Sequence, residues 1–219
     1  MKNNLLLSSL IMLFIISSVA GVSAVDHSEY GTVLDRHVKG GYFDYKAFMG
    51  NDDSRARLDR YLEEMANVPV DSLGGNEALA YWMNLYNAAT IKLIEKHYPV
   101  DSIKDIGGWF SNAWKISFVE TDRGTKTLDQ IEHEIIRPEF KEPRIHYALV
   151  CAAKSCPPLR YEPFRAKKLN EQLNDQAHQF LTSDMNRFRK SGNQLTLKLS
   201  SIFYWYGEDW GNEEKLARS

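Results

Sequence analysis

The sequence predicts an α+β fold: one compact domain of several helices with a small mixed or antiparallel sheet. Two observations predict it: apolar residues recur at helical spacing in several stretches, and shorter stretches alternate or run apolar as strands do. Of the 219 residues, 43% are hydrophobic and 26% are charged, which is typical of a globular protein. The formal net charge of −2 lacks the basic excess typical of proteins that bind nucleic acid or anionic membranes.

The first 24 residues have the pattern of a secretory signal peptide. Lys2 precedes an apolar run over residues 5–16, and small residues then lead to Ala24. A spanning helix needs about 20 apolar residues, so this run is short for that role. We expect cleavage after Ala24, which leaves residues 25–219 as one exported domain, periplasmic or extracellular, with no later membrane-spanning segment. Retention of the run as an anchor is the alternative.

Two early stretches predict amphipathic helices. Their apolar residues lie three or four apart, and the second stretch follows Asp52 and Asp53, which are good capping residues. The residues that share a face are Tyr30, Val33, Leu34 and His37 in the first helix, and Leu58, Tyr61, Leu62 and Met65 in the second.

The longest predicted helix covers residues 76–97. It ends before Pro99, because proline disfavours helical geometry in the residue before it. Its apolar face consists of Leu79, Trp82, Met83, Tyr86, Ala89 and Leu93.

Two later helices are predicted. Thr127 and Gln130 have the spacing of a capping box, which predicts a helix over residues 128–136 that stops at Arg137 and Pro138. The other helix is marked by Leu169, Leu173, Ala177, Phe180 and Leu181.

Three stretches predict strands. Residues 114–119 alternate and lead into a turn at residues 121–124. Residues 145–150 are apolar at nearly every position apart from His146, which predicts a strand covered on both faces. A turn at residues 191–193 leads into a strand with one buried face. That face consists of Leu195, Leu197 and Leu199.

Both cysteines lie directly after the predicted buried strand, at Cys151 and Cys156. In an oxidising compartment the two form a disulfide if a turn brings their Cα atoms within about 7 Å. Alternatively, one cysteine is a nucleophile, since a thiolate at a strand end near a histidine has a lowered pKa. The spacing leaves both interpretations open.

His146 is the histidine nearest to the cysteines in sequence. Along a regular strand, side chains alternate faces and rise about 3.3 Å per residue, so Cys151 lies on the opposite face about 16 Å away. His146 then acts from across the site, or meets Cys156 after the chain reverses. The other interpretation is a core histidine with a satisfied ring.

A second polar cluster lies on the capped helix. His133 and Arg137 are four residues apart and share a face, with Glu132 beside them. The cluster is either a solvated, salt-bridged face or the position of a general base or metal ligand. The two-histidine spacing of a zinc helix is missing, so we predict no metal and no cofactor.

Two further groups of residues invite a functional interpretation. Asn84 and Asn87 lie three apart on the long helix and either hold a neighbouring backbone or donate to a substrate carbonyl in an oxyanion hole. Aromatic residues at 203–206 precede Asp209 and Trp210. They either close a core or form a surface that binds sugars or peptides.

Five ordered motifs carry a family resemblance. They lie at residues 77–88, 102–103, 128–137, 144–159 and 199–209. Together they resemble the domain-of-unknown-function 547 family over residues 30–211, with Trp210 where the family pattern has phenylalanine.

The resemblance implies an exported bacterial protein or a domain of a larger eukaryotic protein, and the link of some members to glutaredoxin-like modules favours thiol or peptide chemistry. It also implies similarity to papain- and transglutaminase-like folds, in which a cysteine opens the central helix. Here that helix supplies Asn84 and no cysteine.

We therefore expect a thiol-dependent hydrolase or acyltransferase acting on peptide-like or envelope material. In this scheme Cys151 is the nucleophile, His133 or His146 the base, Glu132 or Asp209 the residue that orients it, and Asn84 the oxyanion donor. The alternative is a non-enzymatic binding or scaffold domain, with a Cys151–Cys156 disulfide and a groove for a peptide-like or small-molecule ligand. Disulfide exchange is less favoured, since four residues separate the cysteines.

Overall fold

Helices dominate the structure, a computed structural model that describes residues 24–107, 112–150 and 156–211. The α-helices are α1 Ser28–His37, α2 Tyr45–Met49, α3 Asp52–Ala66, α4 Gly75–His97, α5 Leu128–Gln130, α6 Arg137–Phe140, α7 Leu169–Leu181 and α8 Ile202–Trp205. Short 3₁₀ turns occupy Val70–Ser72, Ile103–Asp105, Ala113–Lys115, Pro143–Tyr147, Ala166–Lys168 and Gly207–Trp210. The predicted signal peptide lies outside the described residues, except for Ala24. Within the described ranges, no helix is both long and apolar enough to cross a bilayer.

The strands form two separate antiparallel hairpins. β1 Val38–Lys39 pairs with β2 Tyr42–Phe43, and β3 Arg187–Ser191 pairs with β4 Gln194–Lys198. The predicted α+β class is confirmed, with two two-stranded sheets among the described residues instead of one sheet.

Helix α4 lies at the centre of the core. Every residue from 78 to 91 is buried, so the helix contacts the protein on all sides, beyond the single apolar face that its sequence predicted. A helix that is apolar all round is a core helix. The predicted face of α1 is confirmed, since Tyr30, Val33, Leu34 and His37 are buried. On the predicted face of α3, Leu58, Tyr61 and Met65 are buried, and Leu62 is half-buried and packs against the core. The predicted helix at α7 is also confirmed.

The capping box at α5 is confirmed, but the predicted helix stop is wrong. The Gln130 backbone N–H donates to Thr127 Oγ1 at 3.0 Å, and Gln130 Oε1 accepts from the Thr127 N–H at 3.1 Å. A π-helical turn, Ile131–Ile136, then joins α5 to α6, so the helical path continues to Phe140. Pro138 is tolerated because it occupies the first turn of α6, where a missing N–H costs little.

The predicted buried strand at residues 145–150 is wrong. The chain there forms the 3₁₀ turn Pro143–Tyr147 and then folds back, with the N–H groups of Ala148 and Leu149 both donating to Ile145 O, at 2.8 and 2.9 Å. An unbroken apolar run reports burial, and burial alone does not distinguish a strand from a compact turn. The strand geometry that separated His146 from the cysteines therefore does not apply.

The remaining strand predictions have mixed outcomes. Residues 113–115 form a 3₁₀ turn, and the stretch predicted as a strand at 114–119 forms only a bridge between Val119 and Lys126. The turn at 121–124 is confirmed, since the Gly124 N–H donates to Thr121 O at 2.9 Å and Gly124 has φ +84°.

The hairpin around the turn at 191–193 is confirmed, but its buried face is wrong. Every residue of β3 and β4 is exposed, including Leu195 at 60% and Leu197 at 38%, and Leu199 directly after β4 is also exposed. Alternation predicted which residues share a face, and it carried no information on whether another element covers that face.

Candidate functional site

Two turns that are distant in sequence bring His146 and Asp209 together. His146 lies in the 3₁₀ turn Pro143–Tyr147 and Asp209 in the turn Gly207–Trp210, with His146 Nε2 2.6 Å from Asp209 Oδ2. The side chain of His146 is only 1% exposed. Because an ionised carboxylate only accepts hydrogen bonds, Nε2 carries the proton and Nδ1 is the basic ring nitrogen.

Arg137 holds the carboxylate of Asp209 in place. Its Nε donates to Asp209 Oδ2 at 2.7 Å and its Nη2 to Oδ1 at 2.9 Å, which is a two-point contact. The same guanidinium also pairs with Glu208. Asp209 is thereby fixed from one side by Arg137 and from the other by the imidazole of His146.

Burial and hydrogen bonding together set the charge states of this pair. Burial favours a higher pKa for Asp209, but hydrogen bonds from Arg137 and His146 outweigh it and lower the pKa below its usual 3.8. Burial lowers the pKa of His146 below 6.5, and the hydrogen bond that its Nε2–H donates to Asp209 only partly offsets that. At neutral pH the site therefore contains a neutral imidazole against an ionised carboxylate.

A second carboxylate, Glu132, lies on the other side of His146. Glu132 Oε1 is 4.0 Å from His146 Nδ1, and Glu132 Oε2 accepts from the Tyr86 hydroxyl at 3.0 Å. Tyr206 also hydrogen-bonds to Glu132, and its ring stacks on the His146 ring with centroids 3.8 Å apart. Burial, followed by the charge of Glu132, raises the pKa of both Tyr86 and Tyr206, so both phenols remain protonated donors.

These groups line a cavity of about 60 Å³, enough for a few water molecules or one reacting group of a ligand. The lining residues are Tyr86, Glu132, His146, Leu149, Cys156, Pro157, Ile202, Trp205 and Tyr206. The structure thus brings together three of the polar residues singled out in the sequence, Glu132, His146 and Cys156, with Asp209 behind the imidazole. A larger cavity of about 340 Å³ between α3 and α4 is lined by neither histidine nor cysteine.

Asn84 and Asn87 hold backbone and do not line this cavity. Asn84 Nδ2 donates to Phe164 O at 2.8 Å, and Asn84 Oδ1 accepts from the Phe164 N–H at 2.9 Å. Asn87 Nδ2 donates to Ala148 O at 3.0 Å, and its Oδ1 accepts from the Val150 N–H at 2.9 Å. In this geometry both the oxygen and the nitrogen of each side-chain amide form hydrogen bonds with the protein backbone.

His133 lies apart from His146. It is half-buried, does not line the cavity, and its Nδ1 is 3.3 Å from Arg137 Nη1. Its ring stacks with Tyr206 at a centroid distance of 6.2 Å. Among the residues that the structure describes, no group of three or more histidine, cysteine, aspartate and glutamate side chains is placed to hold a metal ion.

Only one of the two cysteines lies within the described residues. Cys156 is buried, with 7% of its surface exposed, and lines the cavity beside His146. Cys151 lies outside the described residues, and so do its predicted nucleophilic role and its end of the predicted disulfide.

The catalytic scheme expected from the sequence gave no role to Tyr86, Arg137 or Tyr206. Each carried a weak signal: Tyr86 follows Asn84 on the long helix, Arg137 is four residues after His133, and Tyr206 is three residues before Asp209. None of these spacings shows which partner the side chain meets across the fold.

A comparison with known families finds a match over the middle of the chain. The family described as "Protein of unknown function, DUF547" matches residues 70–181. That range includes Glu132, His146 and Cys156, whereas Asp209 lies beyond it. No curated protein and no solved structure matches the chain.

Proposed function

Because this chain belongs to the DUF547 family, whose function is unknown, we propose an activity from the chemistry of its own site. The proposed activity is that of an exported thiol-dependent hydrolase or acyltransferase acting on peptide-like or envelope material. One observation supports it most: a cysteine, Cys156, lines the same cavity as His146, whose ring Asp209 orients. A nucleophile, a base and a residue that orients the base are the parts that such chemistry requires.

In the reduced chain, Cys156 is the nucleophile and His146 the base. His146 Nδ1 takes the thiol proton, the sulfur attacks an acyl carbonyl, and the thioester forms as the leaving amine or alcohol receives the proton back. Water or a second nucleophile then releases the acyl group. We assign the nucleophile to Cys156, which lines the cavity, whereas the expectation from the sequence named Cys151. Asn84 has no role in this scheme, since its amide binds Phe164.

Cys151 and Cys156 pair as a disulfide in the oxidised chain, and this pairing controls the site. An exported protein meets an oxidising compartment, where disulfides form and persist. A dithiol reductant transfers two electrons and two protons to the pair, becomes a disulfide itself, and leaves both thiols of the chain protonated. Activity is therefore expected only after reduction.

Alkylation kinetics test this proposal. The chain is reduced with dithiothreitol, freed of reductant and treated with iodoacetamide at pH 7, and the modification of each cysteine is followed by mass spectrometry. We expect Cys156 to react on the order of 10-fold faster than glutathione, because a neighbouring imidazole raises its thiolate fraction. His146→Gln removes that advantage, and the exposed-histidine control His178→Gln retains it. A rate no higher than that of glutathione, or one unchanged in His146→Gln, contradicts the proposal.

A second candidate function is a binding or scaffold domain, and the geometry of Asn87 favours it. Asn87 holds the backbone at Ala148 and Val150, directly before Cys151, so this segment is braced as a scaffold requires. A disulfide there stabilises the fold, and Cys151→Ala and Cys156→Ala each lower the free energy of unfolding of the oxidised protein by about 2–3 kcal/mol. Since a disulfide-controlled enzyme also loses this stability, the alkylation rate of reduced Cys156 decides between the two.

A further inference from the structure

The β3–β4 hairpin exposes an apolar face that no described element covers. Phe188 pairs with Leu197 and Lys190 with Leu195, so these side chains share one face of the ribbon. Phe188 is 61% exposed and Leu195 60%. A two-stranded hairpin with both faces in water has marginal stability by itself, and exposed apolar patches commonly mark contact surfaces.

The same hairpin concentrates positive charge. Its basic residues are Arg187, Arg189, Lys190 and Lys198, and residues 187–199 contain no acidic residue. In the described parts of the chain, no carboxylate forms a salt bridge with any of these four. In a chain with a formal net charge of −2, the hairpin therefore concentrates four basic side chains: Lys190 lies on the apolar face and the other three on the opposite face.

Two exposed aromatic residues follow the hairpin along the chain. Tyr204 is 88% exposed and Trp205 62%, both in α8 directly after the hairpin. Asn186 fixes the hairpin root, because its Nδ2 donates to Phe180 O at 2.8 Å and its Oδ1 accepts from the Ser200 N–H at 3.0 Å. The buried Asn186 side chain thus fixes the chain at Ser200, two residues before α8 begins.

We propose that the β3–β4 hairpin, together with Tyr204 and Trp205, docks the protein on an anionic lipid bilayer. The apolar face enters the interface, tyrosine and tryptophan take the headgroup level that they favour, and the basic side chains bind lipid phosphates. Arginine and lysine on the opposite face reach around the ribbon, which is only two strands wide, because their long stems lie along apolar surface while the charge stays in water. Trp205 also lines the cavity, so the docked surface adjoins the candidate site.

Vesicle binding of the full chain tests the proposal. One set of vesicles contains phosphatidylcholine alone, and the other equal parts of phosphatidylcholine and phosphatidylglycerol. The protein is expected to bind the anionic set at least about 10-fold more tightly, and added salt weakens that binding. All variants keep the apolar N-terminal run, so differences between them report the hairpin.

Two hairpin variants and one matched control complete the experiment. Arg187→Gln/Arg189→Gln/Lys198→Gln is expected to lower the partition coefficient for anionic vesicles on the order of 100-fold. Phe188→Ser/Leu195→Ser/Leu197→Ser lowers it on both kinds of vesicle. The control, Lys104→Gln/Lys167→Gln/Lys168→Gln, removes three exposed charges elsewhere and leaves hairpin docking nearly intact. Circular dichroism verifies the fold of each variant.

Three results would overturn the proposal: equal binding of the full chain to both vesicle sets, hairpin variants that bind like the control, or binding to duplex DNA or to a second copy of the chain without binding to vesicles. The readout is binding and not catalysis. A failure of the docking proposal is therefore distinguishable from a failure of the proposed thiol chemistry.

Discussion

The amides on α4 and the imidazole of His146 are both buried polar groups, yet the fold uses them in opposite ways. Asn84 is 1% exposed and both ends of its amide bond the backbone of Phe164. His146 is 3% exposed, but it uses one ring nitrogen on Asp209 and directs the other towards Glu132 at 4.0 Å, too far for a hydrogen bond. A buried side chain whose polar atoms all form hydrogen bonds typically has a structural role. A basic nitrogen that remains available beside a cavity is typical of a catalytic or binding role.

The largest effect is expected at the amides. Asn84→Ala leaves a buried N–H and a buried C=O of Phe164 without partners, so the free energy of unfolding should fall by about 3 kcal/mol. Urea denaturation measures this. Asn76→Ala, on an exposed position of the same helix, is the control and should change stability by less than about 0.5 kcal/mol. Equal losses in both variants would show that the amide contacts are not what stabilises this part of the core.

An intermediate effect is expected from pH. The pKa of folded His146 lies below 6.5, so between these two values the unfolded chain binds a proton that the folded chain does not. Stability therefore falls as pH drops below about 6.5, by up to about 1.4 kcal/mol per pH unit for each such group. His27 adds to this slope, since burial lowers its pKa to about 4.

Variants separate the contributions to that slope. His146→Gln should flatten the fall in stability between pH 6.5 and the pKa of His146, whatever its effect at neutral pH. The exposed-histidine variant His178→Gln should leave the slope unchanged. A slope identical in all three proteins would mean that His146 is charged in the folded state.

The smallest effect is expected at His133. Because it is half-buried and its only described hydrogen-bonding contact is with Arg137, His133→Gln should change stability by less than about 0.5 kcal/mol. It should also leave the alkylation rate of reduced Cys156 unchanged. A large loss of that rate would make His133, and not His146, the base.

Local signals predicted much of the fold. The capping box at Thr127, the core face of α3 and the extent of α7 depend on residues within a few positions of each other, so the sequence contains the whole cause. The strand predicted at residues 145–150 was wrong because apolar residues indicate burial and do not indicate the backbone conformation. The predicted burial of Leu195 and Leu197 was wrong for a related reason, since their burial depends on whether another part of the chain covers them.

The site was predictable only in part. His146, Glu132 and Asp209 were identified by their residue types. The contact between Arg137 and Asp209 joins residues 72 positions apart, and sequence spacing does not predict contacts at that separation. The 3₁₀ turn that places His146 beside Asp209 also lacked a local signal, because the same residues suit a buried strand. Chemistry-bearing residues were therefore identified, whereas their grouping required the tertiary structure.

The protonation state of the His146 ring tests the proposed site most directly. It is measured by ¹⁵N nuclear magnetic resonance, in which the signals of His146 are assigned as those that are missing in His146→Gln. We expect a neutral ring at pH 7 with the proton on Nε2, and a pKa below 6.5. A proton on Nδ1, or a ring that is charged at pH 7, would contradict this expectation, because His146 would then have no basic nitrogen available to the cavity.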